Sequence, residues 1–597
     1  MTGGVGNSRQ LRFGCFFLLL ALFQPVYAGP LGLPDSARPG AVRPEEIGRP
    51  VAPPEPAGAL MEIPAVIDRP FEVDEGPRLA VTQFRFPNAR DLPSVDLRVV
   101  DLQKLVDGLR DQRPEGFTIG QLQEVADQVT RFYRGKGLIL AQAVLPVQQV
   151  QEGTVEIQIF EGVLGRVLTE GNEMYDAVVL QGPFKKLVGE PVTKDAIETA
   201  LLQLTDFPGL TVFGVFQPGQ QVGTADIVLR VQEEERFDVA FRADNHGLQE
   251  TGRVRFRPTL EWNNPTGTAD HIEVSLQQTY RPKNNLYESV DYDRYFGRGI
   301  TAGFSGNRNE FDVGGELAAR KIKGKTDEVG LWMEKAWFRS RQFNLSTNLA
   351  FAHKESRTLT AGRQINKDRL SVFSVEGSLD QVDSRFKGIN FATLEYSRGV
   401  NRLAWAMGSA GDAATQAPDS RPSRQGGSGR FAEGQFDKLL FTGSRLQTLP
   451  RNFSLLVRAE LQLSNDLLVP LEQYSVGGPD NVRAYPPAQI LVDNALLFSA
   501  ELIRGMPFIG DVQAFGNRTW GELVQFSVFY DHVIGNLNDP LESEPTDNVN
   551  FRGAGVQARF TLPGSIESRL MWAWQLGRDL PENEREPQLW GDLTYRF

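Results

Sequence analysis

One cysteine, four histidines and one long apolar run are all that 597 residues hold of each, and each shortage removes a class of function. The lone thiol, Cys15, excludes a disulfide framework. His246, His271, His353 and His532 are scattered, without metal-ligand spacing. The apolar run covers residues 13–23, with Arg9 and Arg12 before it and a small-residue ending at Ala28 after it. It is too short to span a bilayer as a helix and reads as a cleavable export signal over 1–28, the other reading being a buried N-terminal helix. Cleavage after Ala28 would remove Cys15, which sits too near the start of the run for a lipid-attachment cysteine. Positive charge is short as well: 63 Lys and Arg face 75 Asp and Glu, for a net -12 and pI ≈ 5.2. That balance gives no support to a nucleic-acid partner. A mean hydropathy of -0.30 is too polar for a bundle of membrane helices. If the chain enters a membrane, only a closed barrel satisfies its backbone there.

Glycine and phenylalanine are plentiful, at 59 and 38, which suits many short strands and aromatic girdles. Near the C-terminal end Leu589, Leu593, Tyr595 and Phe597 alternate with Trp590, Asp592, Thr594 and Arg596. Period two with one apolar face is a strand between an apolar and a polar medium. Taken alone it fits the closing strand of an outer-membrane barrel or the last strand of a soluble sandwich. The same alternation runs through Phe237, Val239, Phe241 and Ala243, and through Ile272, Val274 and Leu276. Its longest case is Phe453, Leu455, Val457, Ala459, Leu461 and Leu463. Residues 237–597 hold about 16 spanning strands with their turns and loops. The polar Gly/Ser/Pro-rich stretch 409–429 fits a long external loop. Nothing supplies the cover that a soluble all-β protein needs, so a barrel is predicted.

Before the barrel the texture differs. Residues 29–77 are rich in proline and charge and read as an extended linker, with 44–47 the only candidate for a short helix. Residues 78–166 read as a compact α+β module. Leu79, Val81, Phe84 and Phe86 suggest a strand, 99–109 a helix, and Thr118 with Gln121 a capping box for a second helix. Leu122, Val125, Ala126, Val129 and Phe132 share one face of that helix. Residues 138–144 and the alternation Val155, Ile157, Ile159 read as strands. Residues 167–236 repeat the plan: Thr193 opens a helix with Ile197, Ala200, Leu201 and Leu204 on one face, followed by strands at 210–216 and 225–231.

Chemistry-bearing motifs are scarce. Gly303-Phe304-Ser305-Gly306 has the wrong spacing for a nucleophile elbow, and Gly553-Ala554-Gly555 lies in a strand and opens no helix. The reading is therefore no enzyme, no catalytic residue, no metal and no cofactor. One constellation does stand out. Gly477-Gly478-Pro479-Asp480-Asn481-Val482-Arg483-Ala484-Tyr485-Pro486 is turn-rich, with a single Arg among apolar neighbours. In the predicted strand 525–533, Phe526, Val528 and Tyr530 form an apolar face that suits lipid, so Asp531 on the other face points to the lumen. If the segment after Gly478 folds inward, Arg483 meets Asp531 as a bidentate pair that pins the loop; otherwise Arg483 is a solvated loop residue. Phe529 is the misfit on the polar face and has to pack against the inserted loop.

These residues carry a resemblance. Val482, Arg483, Ala484 and Tyr485 resemble the lid-loop motif of the TpsB transporters of two-partner secretion, usually Val-Arg-Gly-Tyr/Phe. Phe529, Asp531 and Gly535 resemble the barrel-wall motif it pairs with. The modules resemble POTRA domains: Thr130 to Tyr133, Gln148, Gly153 and Glu161-Gly162 look like the first domain's signature, and Pro208-Gly209 and Asp226 like part of the second's. Ala484 departs from the usual glycine, which puts the shape of the loop tip in question.

The resemblance covers essentially the whole mature chain and implies a mainly β fold: a transmembrane antiparallel β-barrel of about 16 strands preceded by two α+β POTRA domains. It implies an outer-membrane pore of a Gram-negative bacterium that takes up a large secreted partner, a TpsA-like adhesin or haemolysin, and passes it unfolded to the cell surface without ATP. The alternatives are an outer-membrane protein insertase of the same superfamily and a passive porin. It implies a lid loop near 477–488, a plug helix in the linker, and a client groove on the first module lined by Leu122, Val125, Val129, Phe132, Leu138, Leu140 and Val144. Phe597 would signal to the outer-membrane assembly machinery, and outer-membrane lipid would surround the barrel.

Overall fold

The computed structural model describes residues 35, 38–40, 61–62 and 76–597, except 281, 516, 543, 545–547 and 578–585. The expected export signal, Cys15 and the 44–47 helix lie outside the described residues.

The first unit is built around helix Ile119–Gly135. Thr118 accepts the Gln121 N–H, and the Gln121 side chain accepts the Thr118 N–H, so two orphan donors are met at the helix start. Its apolar stripe, Leu122, Val125, Ala126, Val129 and Tyr133, packs on helix Val99–Asp111 and on Phe84, Val155 and Ile157. Each such side chain contributes about 1.5–3 kcal/mol, so Val129→Asp would break the unit. Two strand expectations change. Strand 138–144 survives only as Gln142–Val144, because Leu138 turns into the core and the Ala141 N–H closes onto its carbonyl. Val155 and Ile159 belong to separate short strands, Thr154–Glu156 on Gln83–Arg85 and Gln158–Phe160 on Gln142–Val144.

The second unit begins earlier than the expected boundary at 166/167. Strand Val163–Glu170 already pairs with Thr224–Glu234, which pairs in turn with Leu210–Pro218. The break is Gly162, at φ +77, where a Cβ would lie 2.6 Å from that of Leu140. Helix Lys194–Thr205, capped by Thr193, buries Ile197, Ala200, Leu201 and Leu204 on this sheet. Met61–Glu62 of the linker adds a parallel strand at Gly214 and Val215.

Sixteen antiparallel strands then close into a barrel, the first, Phe237–Asp244, pairing with both Val254–Asn263 and the last, Gln588–Arg596. The seam includes reciprocal bonds between Val239 and Phe597, whose ring lies on the outer face 5.6 Å from that of Phe241. Among the described residues no helix is long and apolar enough to cross a membrane; strands do the crossing. The wall is uneven: Ile322–Arg339, Phe343–Thr360 and Arg363–Asp383 run to 18, 18 and 21 residues, where about 9–11 suffice to span lipid.

The second unit docks on the barrel rim. Asp206 accepts two bonds from the Arg339 guanidinium at 2.7 and 2.8 Å, Glu198 pairs with Arg341, and Phe207 packs on Tyr295. These contacts fix which end of the barrel faces the two units.

Candidate functional site

The site is the segment 464–493, which joins strands Phe453–Leu463 and Asn494–Gly505 and folds into the barrel from the end opposite the two units. Two short strands, Tyr474–Val476 and Ile490–Val492, pair to form its stem. Gly477 and Gly478, at φ +100 and +104, turn the chain into the tip; a Cβ at Gly477 would sit 2.1 Å from the Pro486 carbonyl. Asn481 then holds the turn, donating to the Tyr474 hydroxyl and accepting the Val482 N–H.

Arg483 sits at the end of the tip with its side chain 4% exposed. Its Nε and Nη2 donate to the two oxygens of Asp531 at 2.9 and 2.8 Å, and its backbone N–H adds a third bond to the same carboxylate. Nη1 donates to Glu501 at 2.6 Å and Nη2 also to the Ser499 hydroxyl. The guanidinium carbon lies 3.4 Å from the centre of the Phe529 ring, which is what the misplaced aromatic does on the polar face. Trp590 of the last strand donates to the Arg483 carbonyl at 2.7 Å. A buried guanidinium is tolerable only when paired and hydrogen-bonded, and here two carboxylates, a hydroxyl and a ring meet it.

The other motif residues complete the seat. Val482 and Ala484 are fully buried, and Tyr485 stacks on Phe551 at 4.4 Å with the planes 9° apart. Ala484 has no left-handed backbone; the positive angles of the lid fall on Gly477, Gly478 and Ala488 instead. The concern raised by its missing glycine is therefore met on the wall: a Cβ at Gly553 would come 2.4 Å from that of Ala484, so the methyl of the tip rests on a wall glycine. Gly535 plays a similar part for the stem, where a Cβ would crowd Val492 and the Asn494 carbonyl at 2.9 Å.

Three partners were missed by sequence reasoning. Glu501 bridges Arg483 to Ser527 and Gln557, and its signal was parity: Leu496, Phe498 and Leu502 face out, so Ser499 and Glu501 face in. At the lid base, Glu472 is 1% exposed and pairs with Lys354 and Lys438 of the wall. On the far side, Asp493 pairs with Arg424 of the loop 400–435. Neither Glu472 nor Asp493 has a local sequence signal, because the partners lie far apart in the chain. Among the described residues no group of three or more metal-ligating side chains occurs.

The predicted client groove needs correction. Leu122, Val125, Val129 and Leu138 are interior residues of the first unit, at 0–4% exposure, while Phe132, Leu140 and Val144 are only partly buried. Helical periodicity marks the face that packs on the unit's own sheet, so those four residues cannot offer a surface. The signature residues are structural too: Thr130 accepts the Ala143 N–H, and the Gln148 amide exchanges two bonds with the Glu156 backbone.

Comparison with known proteins agrees with this architecture. The family described as haemolysin secretion/activation protein ShlB/FhaC/HecB matches residues 223–517, and the ShlB-type POTRA domain matches 80–162. The heme/hemopexin transporter protein HuxB of Haemophilus influenzae (strain 86-028NP) is 22% identical over 490 residues, 80% of this chain and 81% of its own. The outer membrane transporter CdiB of Escherichia coli O6:K15:H31 (strain 536 / UPEC) is 25% identical over 447 residues, 70% of this chain and 73% of its own. The solved structure of CdiB from Escherichia coli superposes with a TM-score of 0.66 at 18% identity, covering 90% of this chain and 94% of that one. BamA from Haemophilus ducreyi lacking POTRA domains 1-3 gives 0.51 at 14% identity, over 87% and 100%, a likeness of fold alone. Barrel, lid and α+β units, together with these matches, place the chain in the haemolysin secretion/activation family of outer-membrane transporters, the TpsB proteins of two-partner secretion.

Proposed function

We propose that this protein is the outer-membrane channel through which one large partner protein, of the TpsA type, leaves the periplasm unfolded and reaches the cell surface. The observation that carries the reading is the seated lid: a lumen closed by a segment held through a satisfied Arg483–Asp531–Glu501 cluster suits a gated passage for a chain and not a standing pore for small solutes. The two units lie in the periplasm and receive the client before it enters the barrel. Client capture uses the first unit, at the edge of Gln142–Val144, whose one named strand partner among the described residues is Gln158–Phe160. An extended client segment adds there through main-chain hydrogen bonds, with the partly buried Leu140, Val144 and Phe132 beside it. Arg483 and Asp531 gate the passage and perform no covalent step. Folding of the client outside makes passage directional, with no nucleotide consumed.

The test is deletion of the protein, followed by assay of the large secreted protein encoded beside it. Loss of that protein alone from the surface supports the reading. A general loss of outer-membrane barrels would instead make the chain an insertase.

A further inference from the structure

The lid has a second attachment, at its base and on the outer side. Arg424 lies in the loop 400–435, which belongs to no spanning strand, yet its side chain is only 2% exposed. It donates to the Asp493 carboxylate at the end of the lid segment, to the Leu468 carbonyl at its start (2.8 Å), and to the Asn538 carbonyl of the loop 537–548 (3.1 Å). Asp493, fully buried, also accepts from the Leu468 and Asn538 N–H groups and from Gln473. Every partner of the guanidinium is therefore in a loop. Around it, Met407 and Ala432 of the long loop pack with Leu468, Val469 and Leu471 of the lid base against Leu370, Val372 and Phe436 of the wall. At the outer edge Ser428 bonds to Asp539, joining the two outer loops directly.

We propose that Arg424 is a positioning residue for the lid: with Asp493 it forms an outer latch that closes the mouth of the barrel across three loops, and this latch opens whenever the channel opens. The Arg483 cluster holds the tip to the wall, whereas the Arg424 pair holds the base to its neighbouring loops. A buried ion pair is a weak net stabiliser compared with apolar packing of the same volume. It is suited to reversible closure, because both charges regain water as soon as the loops part. Release of the tip alone leaves the outer plate intact, so a chain in the lumen still has no exit.

This inference rests on the channel reading, and a bilayer readout separates the two because it needs no client. The full-length protein carrying Ser428→Cys and Asp539→Cys is placed in planar lipid bilayers in potassium chloride. With the thiols reduced, and the Ser428–Asp539 bonds lost, it opens at least as often as the parent protein; with the disulfide formed the openings are lost, and they return on reduction. Arg424→Ala, checked for a folded barrel by heat-dependent gel mobility, raises the open fraction, and Arg424→Lys brings part of the closure back. Unchanged openings across the formed disulfide would overturn the latch, as would an Arg424→Ala channel as closed as the parent. Failure of the partner to reach the surface would sink the export reading and leave these currents as they are.

Discussion

Gly553→Ala is a one-methyl test of how the lid tip is seated. The added Cβ would stand 2.4 Å from the Ala484 Cβ, and 3.5 Å from the Ala484 nitrogen and the Trp574 carbonyl. Two carbons rest at about 3.5–4.0 Å, so the tip and wall must part by about 1 Å. Neither methyl has a rotamer to change. The displacement falls on backbone that Asp531 and Trp590 hold through the N–H and the carbonyl of the preceding residue, Arg483. Overpacking of this kind costs about 1–3 kcal/mol. If the seated lid is one of two states, the seated-to-released ratio falls about 5–150-fold. Ala484→Gly removes the other methyl, and in the double variant the methyl has simply changed sides, so closure should return. The readout is open fraction in planar bilayers, with heat-dependent gel mobility to show that the barrel has formed. A Gly553→Ala channel as closed as the parent, or one that Ala484→Gly fails to rescue, would refute the seating argument.

Other perturbations have definite expected outcomes. Asp531→Ala leaves Arg483 with Glu501 as its remaining carboxylate, a loss of about 3–5 kcal/mol for a buried pair, so partner export falls while the amount of folded barrel holds. Arg483→Met with Asp531→Leu and Glu501→Gln should do less harm than Arg483→Met alone, which strands two buried carboxylates, as measured by surface partner per folded barrel. Deleting Phe597 removes the Val239 bonds and the ring on Phe241, and should lower the fraction of barrel assembled while export per assembled barrel stays constant. Tyr133 is buried, its hydroxyl has no partner among the described residues, and burial pushes the phenol up to about 12. Tyr133→Phe should therefore strengthen the first unit by about 1 kcal/mol, seen as slower amide exchange across Ile119–Gly135. In the long outer loop, hydrogen bonds from Arg402 and then Ser409 hold the Asp412 carboxyl at about 2. Its folded value lies below the usual one, so its contribution is whole above the usual carboxylate range and is lost as pH falls through about 2. Exchange in Ala410–Thr415 should rise over that window, and Asp412→Asn should abolish the dependence.

How much of this was legible in the sequence depended on whether the signal was local. The Thr118–Gln121 box, the Thr193 cap and the alternation of Phe526, Val528 and Tyr530 are set by backbone periodicity, and the structure has them where the residues put them. The meeting of Arg483 with Asp531 could be posed because parity aimed one of them inward, although 48 residues separate them. Glu472 with Lys354, and Arg424 with Asp493, could not be posed at all. They join loops to distant positions, and a lone charge in a polar loop looks the same whether it is solvated or buried. The groove on the first unit was misread for the opposite reason. Leu122, Val125 and Val129 make so clear a helical stripe that they had to be core, and a binding face has to be sought among the residues such a stripe leaves out.

The polar character of the closure has a physical reason. A lid that leaves the lumen must pass from a dry seat to a wet one. If apolar packing alone held it, release would expose that surface to water at about 25 cal/mol per Å². Charged contacts behave differently, since each group removed from its partner recovers hydration that it had lost. The lid uses both terms, but unevenly along its length. Val482, Ala484 and Tyr485 at the tip, with Tyr474, Val476 and Val492 of the stem, supply an apolar footing whose fit depends on glycines at Gly553 and, along the stem, Gly535. The directional holds are ionic at three heights: Arg483 at the tip, Glu472 on the wall side of the base and Asp493 on its outer side. Replacing all three clusters, every charged partner of each included, with well-packed apolar groups should give a lid at least as stable and a channel that no longer opens, which is why stability alone does not explain the choice of residues.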